Sequence, residues 1–179
     1  NLHSAILHLL TEAALACARI DLAAQFLERA GVVPDLLFGR RHPYLTVMRV
    51  LHVRVNAFQG KVAEASTLVT DAIDGASSEV ETLYADAVAC LVNGTSDQRR
   101  NAKELADSIE LSGIVPTVAV SRGCYLLAAY GLVAVGSLDR AARFILIAGG
   151  DPGLARLMII DRVLGLELLA TSAIAATDL

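Results

Sequence analysis

The sequence contains no tryptophan, and aromatic residues make up only 4% of its 179 residues. Its longest stretches without a charged side chain cover residues 111–121 and 123–138, and both are shorter than the ~18–20 apolar residues that span a membrane. Acidic residues outnumber basic ones, so the formal net charge is −4 and the chain has no overall cationic field. These absences argue against a membrane protein and against a nucleic-acid surface built on basic and aromatic side chains.

The sequence also lacks the short motifs that carry catalysis or bind metals. It has no glycine-rich phosphate loop, no HExxH, no GxSxG and no paired CxxC motif. His3 and His8 are five residues apart, whereas two ligands on one helical face would be four apart. Cys17, Cys90 and Cys124 lie far apart in apolar helical stretches, which indicates buried, reduced thiols in a cytoplasmic protein. We therefore expect neither an enzyme nor a cofactor or metal site.

Small and aliphatic apolar residues are the part of the composition that is in excess. Hydrophobic residues make up 55% of the sequence, and Ala, Leu and Val supply the excess. Ala and Leu are strong helix formers whose shapes suit closely packed helices. The composition excludes a disordered chain and predicts an all-α protein.

A pattern of small and apolar residues recurs along the chain, and each copy predicts the end of one helix, a sharp turn and the start of the next helix. A glycine or alanine at the turn is followed by apolar residues two, five, eight, nine and twelve positions later. The copies are Ala18, Ile20, Ala23, Phe26, Leu27 and Ala30; Gly60, Val62, Ala65, Leu68, Val69 and Ala72; and Gly136, Leu138, Ala141, Phe144, Ile145 and Ala148. A turn glycine adopts the left-handed conformation cheaply, the small alanine lets the helices approach, and larger residues fill the groove between them.

A fourth, weaker copy fills the longer gap between the last two. We assign Gly94 as its turn residue, with residues 95–100 lengthening the turn, and Ala102 as its small residue. The small alanines 23, 65, 102 and 141 are then 42, 37 and 39 positions apart, which is a period typical of helical-hairpin repeats. The sequence therefore predicts a single all-α domain, a right-handed superhelix of about nine helices in antiparallel hairpins similar to tetratricopeptide repeats.

The predicted repeats cover approximately residues 2–31, 43–74, 77–112 and 116–149, and a terminal helix covers 152–177. Asp151 and Pro152 predict the start of that helix, because Asp is a good N-cap and Pro is tolerated in the first turn. By the logic of the repeat, this helix begins a further hairpin. Since the chain starts at Asn1 and ends within an apparent helix, we expect a fragment of a longer polypeptide.

Polar residues at helical spacing on the first helices of the second, third and fourth hairpins predict a binding surface, because first helices line the concave face of helical solenoids. The candidate ligand- or partner-binding residues are Arg49, His52, Asn56, Thr82, Asp86, Arg122 and Tyr125. The alternative is that they form the solvent face of amphipathic helices. The binding hypothesis predicts that Arg49→Ala and Asp86→Ala weaken binding with little loss of thermal stability.

Two further stretches bear on partners. Arg40, Arg41, His42, Arg49 and Arg54 form a small basic cluster without interleaved aromatic residues, so we expect no direct contact with nucleic acid. The terminal helix carries more apolar residues than one groove needs. A further repeat would cover them, and so would self-association.

Three segments of the sequence resemble a known family: AVGSLDRAARFILIA, AFQGKVAEASTLVTDA and ACARIDLAAQFLERA. They look like the tetratricopeptide-like repeats of the MalT-type, LuxR-family ATP-dependent transcriptional regulators of bacteria. In that family a nucleotide-switch module precedes a helical-repeat superhelix, which receives an inducer or a regulatory protein, and a helix-turn-helix domain follows. Neither of the flanking modules is present in this sequence, so the resemblance assigns no catalytic or DNA-contacting residue.

The resemblance implies a non-enzymatic, cytoplasmic module that senses a small-molecule inducer or binds a regulatory protein on its concave face. The alternative is a generic tetratricopeptide-type scaffold for protein–protein interaction, taken from another multidomain protein.

Overall fold

The computed structural model describes residues 2–30 and 43–177, and within these residues it contains nine α-helices and no strand. The helices are α1 (Leu2–Ala16), α2 (Ile20–Ala30), α3 (Pro43–Phe58), α4 (Val62–Gly75), α5 (Glu79–Thr95), α6 (Arg99–Leu111), α7 (Ala119–Ala134), α8 (Leu138–Gly149) and α9 (Ile159–Thr177). The all-α prediction is confirmed for this part of the chain. The cluster at Arg40, Arg41 and His42 lies outside the described residues.

The chain divides into two compact units, Asn1–Ala85 and Asp86–Leu179, and the boundary falls inside α5. In the first unit α1 packs on α2, α3 packs on α4, and α2 also contacts α3. In the second unit α7 packs on α8, α6 contacts α7, and α9 contacts both α7 and α8. The two helices of the first, second and fourth predicted hairpins therefore pack on each other as the repeat pattern predicts, while the superhelical arrangement and the single domain stay predictions. No helix among the described residues combines the length and the apolar character required to cross a membrane.

Four turns, which we call elbows, join the first and second helix of each hairpin, and they share one backbone geometry. The central residue of each elbow has a positive φ: 54° at Ala18, 75° at Gly60, 59° at Asp97 and 72° at Gly136. The N–H of this central residue donates to the carbonyl of the residue three positions before it. The N–H of the following residue donates to the carbonyl of the residue five positions before that following residue. This pair of bonds is the Schellman motif, which satisfies the last carbonyls of a helix and reverses the chain. The elbow is therefore the conserved element of all four hairpins within this chain.

The third elbow corrects the sequence prediction. Gly94 lies inside α5, and Asp97 is the residue with positive φ. Asp97 stands five positions before Ala102, so the four elbows have the same 42, 37 and 39 spacing as the buried alanines. The predicted lengthening of this turn was wrong. An aspartate fills the position because Asp tolerates the left-handed conformation better than most side chains do.

The alanine five positions after each elbow is inaccessible to solvent in all four hairpins. These residues are Ala23, Ala65, Ala102 and Ala141, each with 0% of its surface exposed. The next large position is less uniform than predicted, because Phe144 is fully buried whereas Phe26 and Leu68 are only half-buried. The residue after it is buried in every hairpin: Leu27, Val69, Ala106 and Ile145. The residue nine positions after the elbow therefore fills the interface between helices more consistently than the residue eight positions after it.

The start of α5 is closed by side-chain hydrogen bonds that resemble a capping box. The Glu81 backbone N–H donates to Ser78 Oγ at 3.3 Å, and the Glu81 carboxylate accepts from the Ser77 N–H at 2.9 Å and from Ser77 Oγ at 3.0 Å. Burial acts to raise the pKa of Glu81, but the hydrogen bonds from Ser77, Ser78 and Thr46 outweigh it and hold that pKa below its usual value. Glu81 therefore ties α5 to its own N-terminus in the ionised state.

The terminal helix begins later than predicted. Gly150, with φ +77°, ends α8, and residues 151–158 form turns before α9 starts at Ile159. Asp151 does not cap a helix, because its carbonyl accepts from the Leu154 N–H at 2.9 Å in a tight turn. Leu154 has a positive φ of 53° and is fully buried. Burial of that side chain in the second unit holds this segment in turns.

Candidate functional site

The predicted stripe residues of the first unit lie on α3 and α5 in unlike surroundings. Arg49 is half-buried beside Gly75 at the end of α4, where a Cβ on Gly75 would meet the Arg49 guanidinium. His52 is half-buried, and burial lowers its pKa, which favours the neutral imidazole. Asn56 donates from Nδ2 to the His52 carbonyl at 3.0 Å, whereas Thr82 is exposed. Only Thr82 of these four presents an exposed side chain.

Two of the predicted residues in the second unit are buried and bonded within the chain. Asp86 accepts a 2.8 Å hydrogen bond from Ser108 Oγ, and burial raises its pKa although this bond acts to lower it. Tyr125 donates from its hydroxyl to the Ile114 carbonyl at 2.8 Å. Its ring lies 5.3 Å from that of Phe144, centroid to centroid. Because Asp86 is buried and bonded, we expect Asp86→Ala to lower stability, unlike the expectation from the sequence.

Arg122 uses its guanidinium to join two segments of the second unit. Its Nη2 donates to the Thr117 carbonyl at 2.7 Å, and its Nε to the Pro116 carbonyl at 3.3 Å. Its Nη1 donates to the Arg156 carbonyl at 2.7 Å. The structure therefore brings Arg122 and Tyr125 together as anchors of the segment before α7. That all seven predicted residues line one groove stays a prediction.

The sequence prediction missed a polar cluster in the first unit. Arg54 Nη1 donates to Glu12 Oε2 at 3.1 Å, and the Tyr84 hydroxyl donates to Glu12 Oε1 at 3.3 Å. Glu12, Arg54 and Tyr84 stand on α1, α3 and α5, so one carboxylate links the first helices of three hairpins. Glu12 and Arg54 are 42 positions apart, as are the elbows at Ala18 and Gly60, so they occupy equivalent places in consecutive hairpins. The equivalent positions of Glu12 and Arg54 were the signal in the sequence from which this ion pair could have been predicted.

A surface groove of about 600 Å³ lies between the elbows of the first and second hairpins, and we call it the elbow groove. It is lined by Ala18, Arg19, Ile20, Asp21, Leu22, Gln25, Phe58, Gln59 and Lys61. The charged side chains are exposed, while Phe58 and Leu22 are half-buried. All the lining residues belong to the first unit. The elbow groove thus combines three charged groups and two amides with a smaller apolar wall, so its lining is more polar than that of a typical small-molecule site.

The wall of the elbow groove is connected to the polar cluster. The Arg54 guanidinium lies over the Phe58 ring, 5.8 Å from its centroid, while it also donates to Glu12. A cation over a ring face is attracted to it and restricts its motion. Glu12 and Arg54 therefore position Phe58, although neither residue lines the elbow groove.

Two of the three cysteines are buried, and one of these holds three helices together. Cys90 is fully buried, and burial raises the pKa of its thiol to about 12. Its Sγ–H lies 3.3 Å from the Ala102 carbonyl and 3.5 Å from the Ala128 carbonyl, so it bridges α5, α6 and α7. Cys124 is also buried, but Cys17 is exposed, and the prediction that it is buried was wrong. Cys17 is exposed because it lies in the elbow that follows α1.

No group of three or more His, Cys, Asp or Glu residues among those described is placed to hold a metal ion.

The segment from 158 to 174 exposes several large apolar side chains: Met158, Ile159, Val163, Leu166 and Ile174. Self-association through α9 stays a prediction, since the structure contains one copy of the chain.

Comparison with known proteins adds no relative: no family model, no curated protein and no solved structure gives a significant match to this chain. The class defined by the described residues is an all-α protein of repeated helical hairpins. The resemblance to MalT-type regulators remains a prediction from the sequence.

Proposed function

We propose that this chain is a non-enzymatic binding module of a cytoplasmic, MalT-type transcriptional regulator, and that it receives a small-molecule inducer or a regulatory protein. The observation that carries the proposal is the repeated elbow, with the same two hydrogen bonds at Ala18, Gly60, Asp97 and Gly136. Repeated hairpins of this kind present extended surfaces for recognition. The proposal includes stacking of the hairpins into a right-handed superhelix.

The chemistry of the buried groups supports a binding role over a catalytic one. Cys90 is held as a neutral thiol, and burial raises the pKa of the Tyr125 hydroxyl, which is already bonded to a carbonyl. Asp86 is occupied by Ser108. A general base or nucleophile needs a pKa matched to its task and access to a substrate, and these groups have neither.

The size of the elbow groove supports a small-molecule ligand. Ligand sites commonly enclose about 300–1,000 Å³, and the elbow groove, at about 600 Å³, falls within that range. Its lining residues come from both elbows, so a ligand there would contact the first and second hairpins at once. Such a ligand would stabilise one relative placement of the two hairpins, which is a route for passing a signal to a parent chain.

The melting temperature of the purified chain tests the proposal. We expect at least one fraction of a bacterial metabolite extract, or a purified regulatory protein from the same operon, to raise it, because binding to the folded state alone must stabilise that state. The control is a chain unfolded and refolded without extract. If neither fractions nor regulatory proteins change the melting temperature at saturating concentrations, the binding function is wrong.

The sequence of the parent gene tests the regulatory setting separately. A phosphate-binding loop upstream and a helix-turn-helix downstream would support the regulator. Their absence, together with a measured binding event, would favour the generic tetratricopeptide-type scaffold.

A further inference from the structure

We propose that the elbow groove binds a small organic anion, a carboxylate carried on an apolar group, with the carboxylate between Arg19 and Lys61. The inference rests on the proposed binding function and names the chemistry of its ligand. It differs from the sequence prediction, because none of the seven predicted stripe residues lines the elbow groove.

The two cations stand at equivalent positions, each directly after the central residue of its elbow. Arg19 follows Ala18 and Lys61 follows Gly60, and both side chains are exposed on the same groove. The repeat itself does not require a cation there, because Gln98 fills the same position in the third hairpin. The backbone N–H of Gln98 donates to the carbonyl five positions earlier, as those of Arg19 and Lys61 do. The pair of positive charges is therefore a property of this groove and not of the elbow.

Nothing in the described part of the chain neutralises these two cations by direct contact. Every ion pair recorded there involves other basic residues, namely Arg54, Arg99, Arg100, Arg140 and Arg143. Lys61 is also the N-cap residue of α4, and its side chain makes no capping hydrogen bond.

The rest of the lining limits the ligand. Asp21 offsets one of the two positive charges, so the lining has a net charge of +1 and favours a ligand with one negative charge. The Phe58 ring, positioned by Arg54 at 5.8 Å, gives the apolar part of the ligand a surface that is already fixed. Gln25 and Gln59 supply amide groups, which can hydrogen-bond either a donor or an acceptor on the ligand.

Titration of the ¹⁵N-labelled chain with sodium hexanoate, at constant ionic strength, tests the inference. Hexanoate joins a carboxylate to a short alkyl chain, and hexylamine is the matched probe of opposite charge. We expect saturable amide shifts concentrated at residues 19–22 and 58–62 with hexanoate, and weaker, non-saturating shifts there with hexylamine. Equal responses to the two probes, or hexanoate shifts centred elsewhere, would overturn the assignment.

A pair of double variants isolates the role of the cations. Arg19→Gln with Lys61→Gln is expected to weaken hexanoate binding about tenfold, because two exposed charge interactions are removed. The elbows should fold normally, since Gln98 shows that glutamine suits this position. The control is Arg29→Gln with Lys103→Gln, which changes the net charge equally at exposed positions outside the elbow groove and should leave binding unchanged. Equal losses in both double variants would contradict a specific site.

The outcomes separate this inference from the proposed function. If hexanoate does not bind but a metabolite fraction still raises the melting temperature, the anion site is wrong and the binding module stands. If hexanoate binds at the elbow groove and the double variant also abolishes the stabilisation by that fraction, both are supported. If neither probe nor fraction binds, both are wrong.

Discussion

Gly94 of α5 and Gly131 of α7 meet backbone to backbone where these two helices cross. A Cβ on Gly94 would lie 2.6 Å from Gly131 Cα, and a Cβ on Gly131 would lie 2.6 Å from the Cys90 carbonyl carbon. Rotation of a side chain cannot relieve contacts this short, because the atoms on both sides belong to the backbone. Close approach of the first helices of the third and fourth hairpins therefore depends on the missing side chains.

Replacement of Gly131 by alanine is expected to lower the free energy of unfolding by about 1–3 kcal/mol, because the added methyl group forces α5 and α7 apart. The loss outweighs the ~0.5–1 kcal/mol that alanine gains over glycine within a helix. Gly94→Ala should act in the same direction. Urea denaturation monitored by far-UV circular dichroism measures both changes.

Gly123 provides the control on the same helix. It lies in α7 like Gly131, but a Cβ there would meet nothing within 4 Å. Gly123→Ala is therefore expected to stabilise the chain by about 0.5–1 kcal/mol through helix propensity alone. If Gly131→Ala stabilises to the same extent, the close crossing does not exist.

Exchange of residues at the elbows should show that the positive φ matters more than the residue type. Ala18 has a φ of 54°, which costs an L-residue about 1–2 kcal/mol, so Ala18→Gly is expected to stabilise by about 0.5–1 kcal/mol after the greater entropy of unfolded glycine is counted. Gly60→Ala makes the opposite change, because it puts an L-residue at a position of positive φ, and it is expected to destabilise the chain. A Cβ at Gly60 meets nothing within 4 Å, so its expected loss of about 1 kcal/mol comes from backbone strain alone. Opposite signs for the two variants in urea denaturation confirm the elbow, and equal signs contradict it.

The ion pair between Glu12 and Arg54 is expected to show a coupling energy of about 0.5–1 kcal/mol in a double-mutant cycle with Glu12→Gln and Arg54→Gln. The side chains are 35% and 19% exposed, so solvent screens the pair only in part. The Arg100–Glu104 pair on α6 is far more exposed and should give a smaller coupling. Coupling energies that are equal for the two pairs would show that Glu12 does not join the hairpins energetically.

The stability of the chain should depend on the ionisation of Glu81 in acid. Its pKa in the folded chain lies below the usual 4.5, so the carboxylate stabilises the fold fully above that usual value and loses this effect as the pH falls through the lower folded value. Glu81→Gln is expected to lower the free energy of unfolding by about 1 kcal/mol at pH 7. The difference from the wild type should shrink as the pH is lowered below 4.5.

Glu79 is the control for this pH dependence, since it stands in the first turn of the same helix but is exposed. The Glu79→Gln variant should lose stability in acid as the wild type does, because Glu81 is still present. A Glu81→Gln curve that is parallel to the wild-type curve from pH 7 to pH 3 would show that the Ser77 hydrogen bonds do not lower the pKa.

Much of the local architecture was predictable because it depends on neighbours in the sequence. The alternation of small and large apolar residues over twelve positions located the four hairpins, and Ala18, Gly60 and Gly136 marked three of their elbows. The third elbow was misplaced because glycine was taken as the marker of positive φ, whereas Asp97 has that conformation. The start of α9 was misplaced because Asp and Pro are common both in turns and at helix starts.

The candidate site was less predictable. Helical spacing placed Asp86, Arg122 and Tyr125 on the polar stripes of their own helices, but spacing does not say whether a polar side chain faces solvent or a partner within its own chain. The elbow groove had a signal in the sequence, the cations at Arg19 and Lys61. The alignment of Ala18 with Gly60 already put these two cations at equivalent positions, but only the structure shows that they line one groove.

The sequence by itself determined that the chain forms helices paired by tight elbows, because helix periodicity and the left-handed cap are set by residues within a few positions of one another. Only the tertiary structure decided that Gly94 lies against Gly131, that Glu12 meets Arg54, and that two elbows line one surface groove. Each of these depends on the distance and angle between helices that are tens of residues apart in the chain. Those quantities follow from the packing of many side chains together, and no single stretch of sequence contains them.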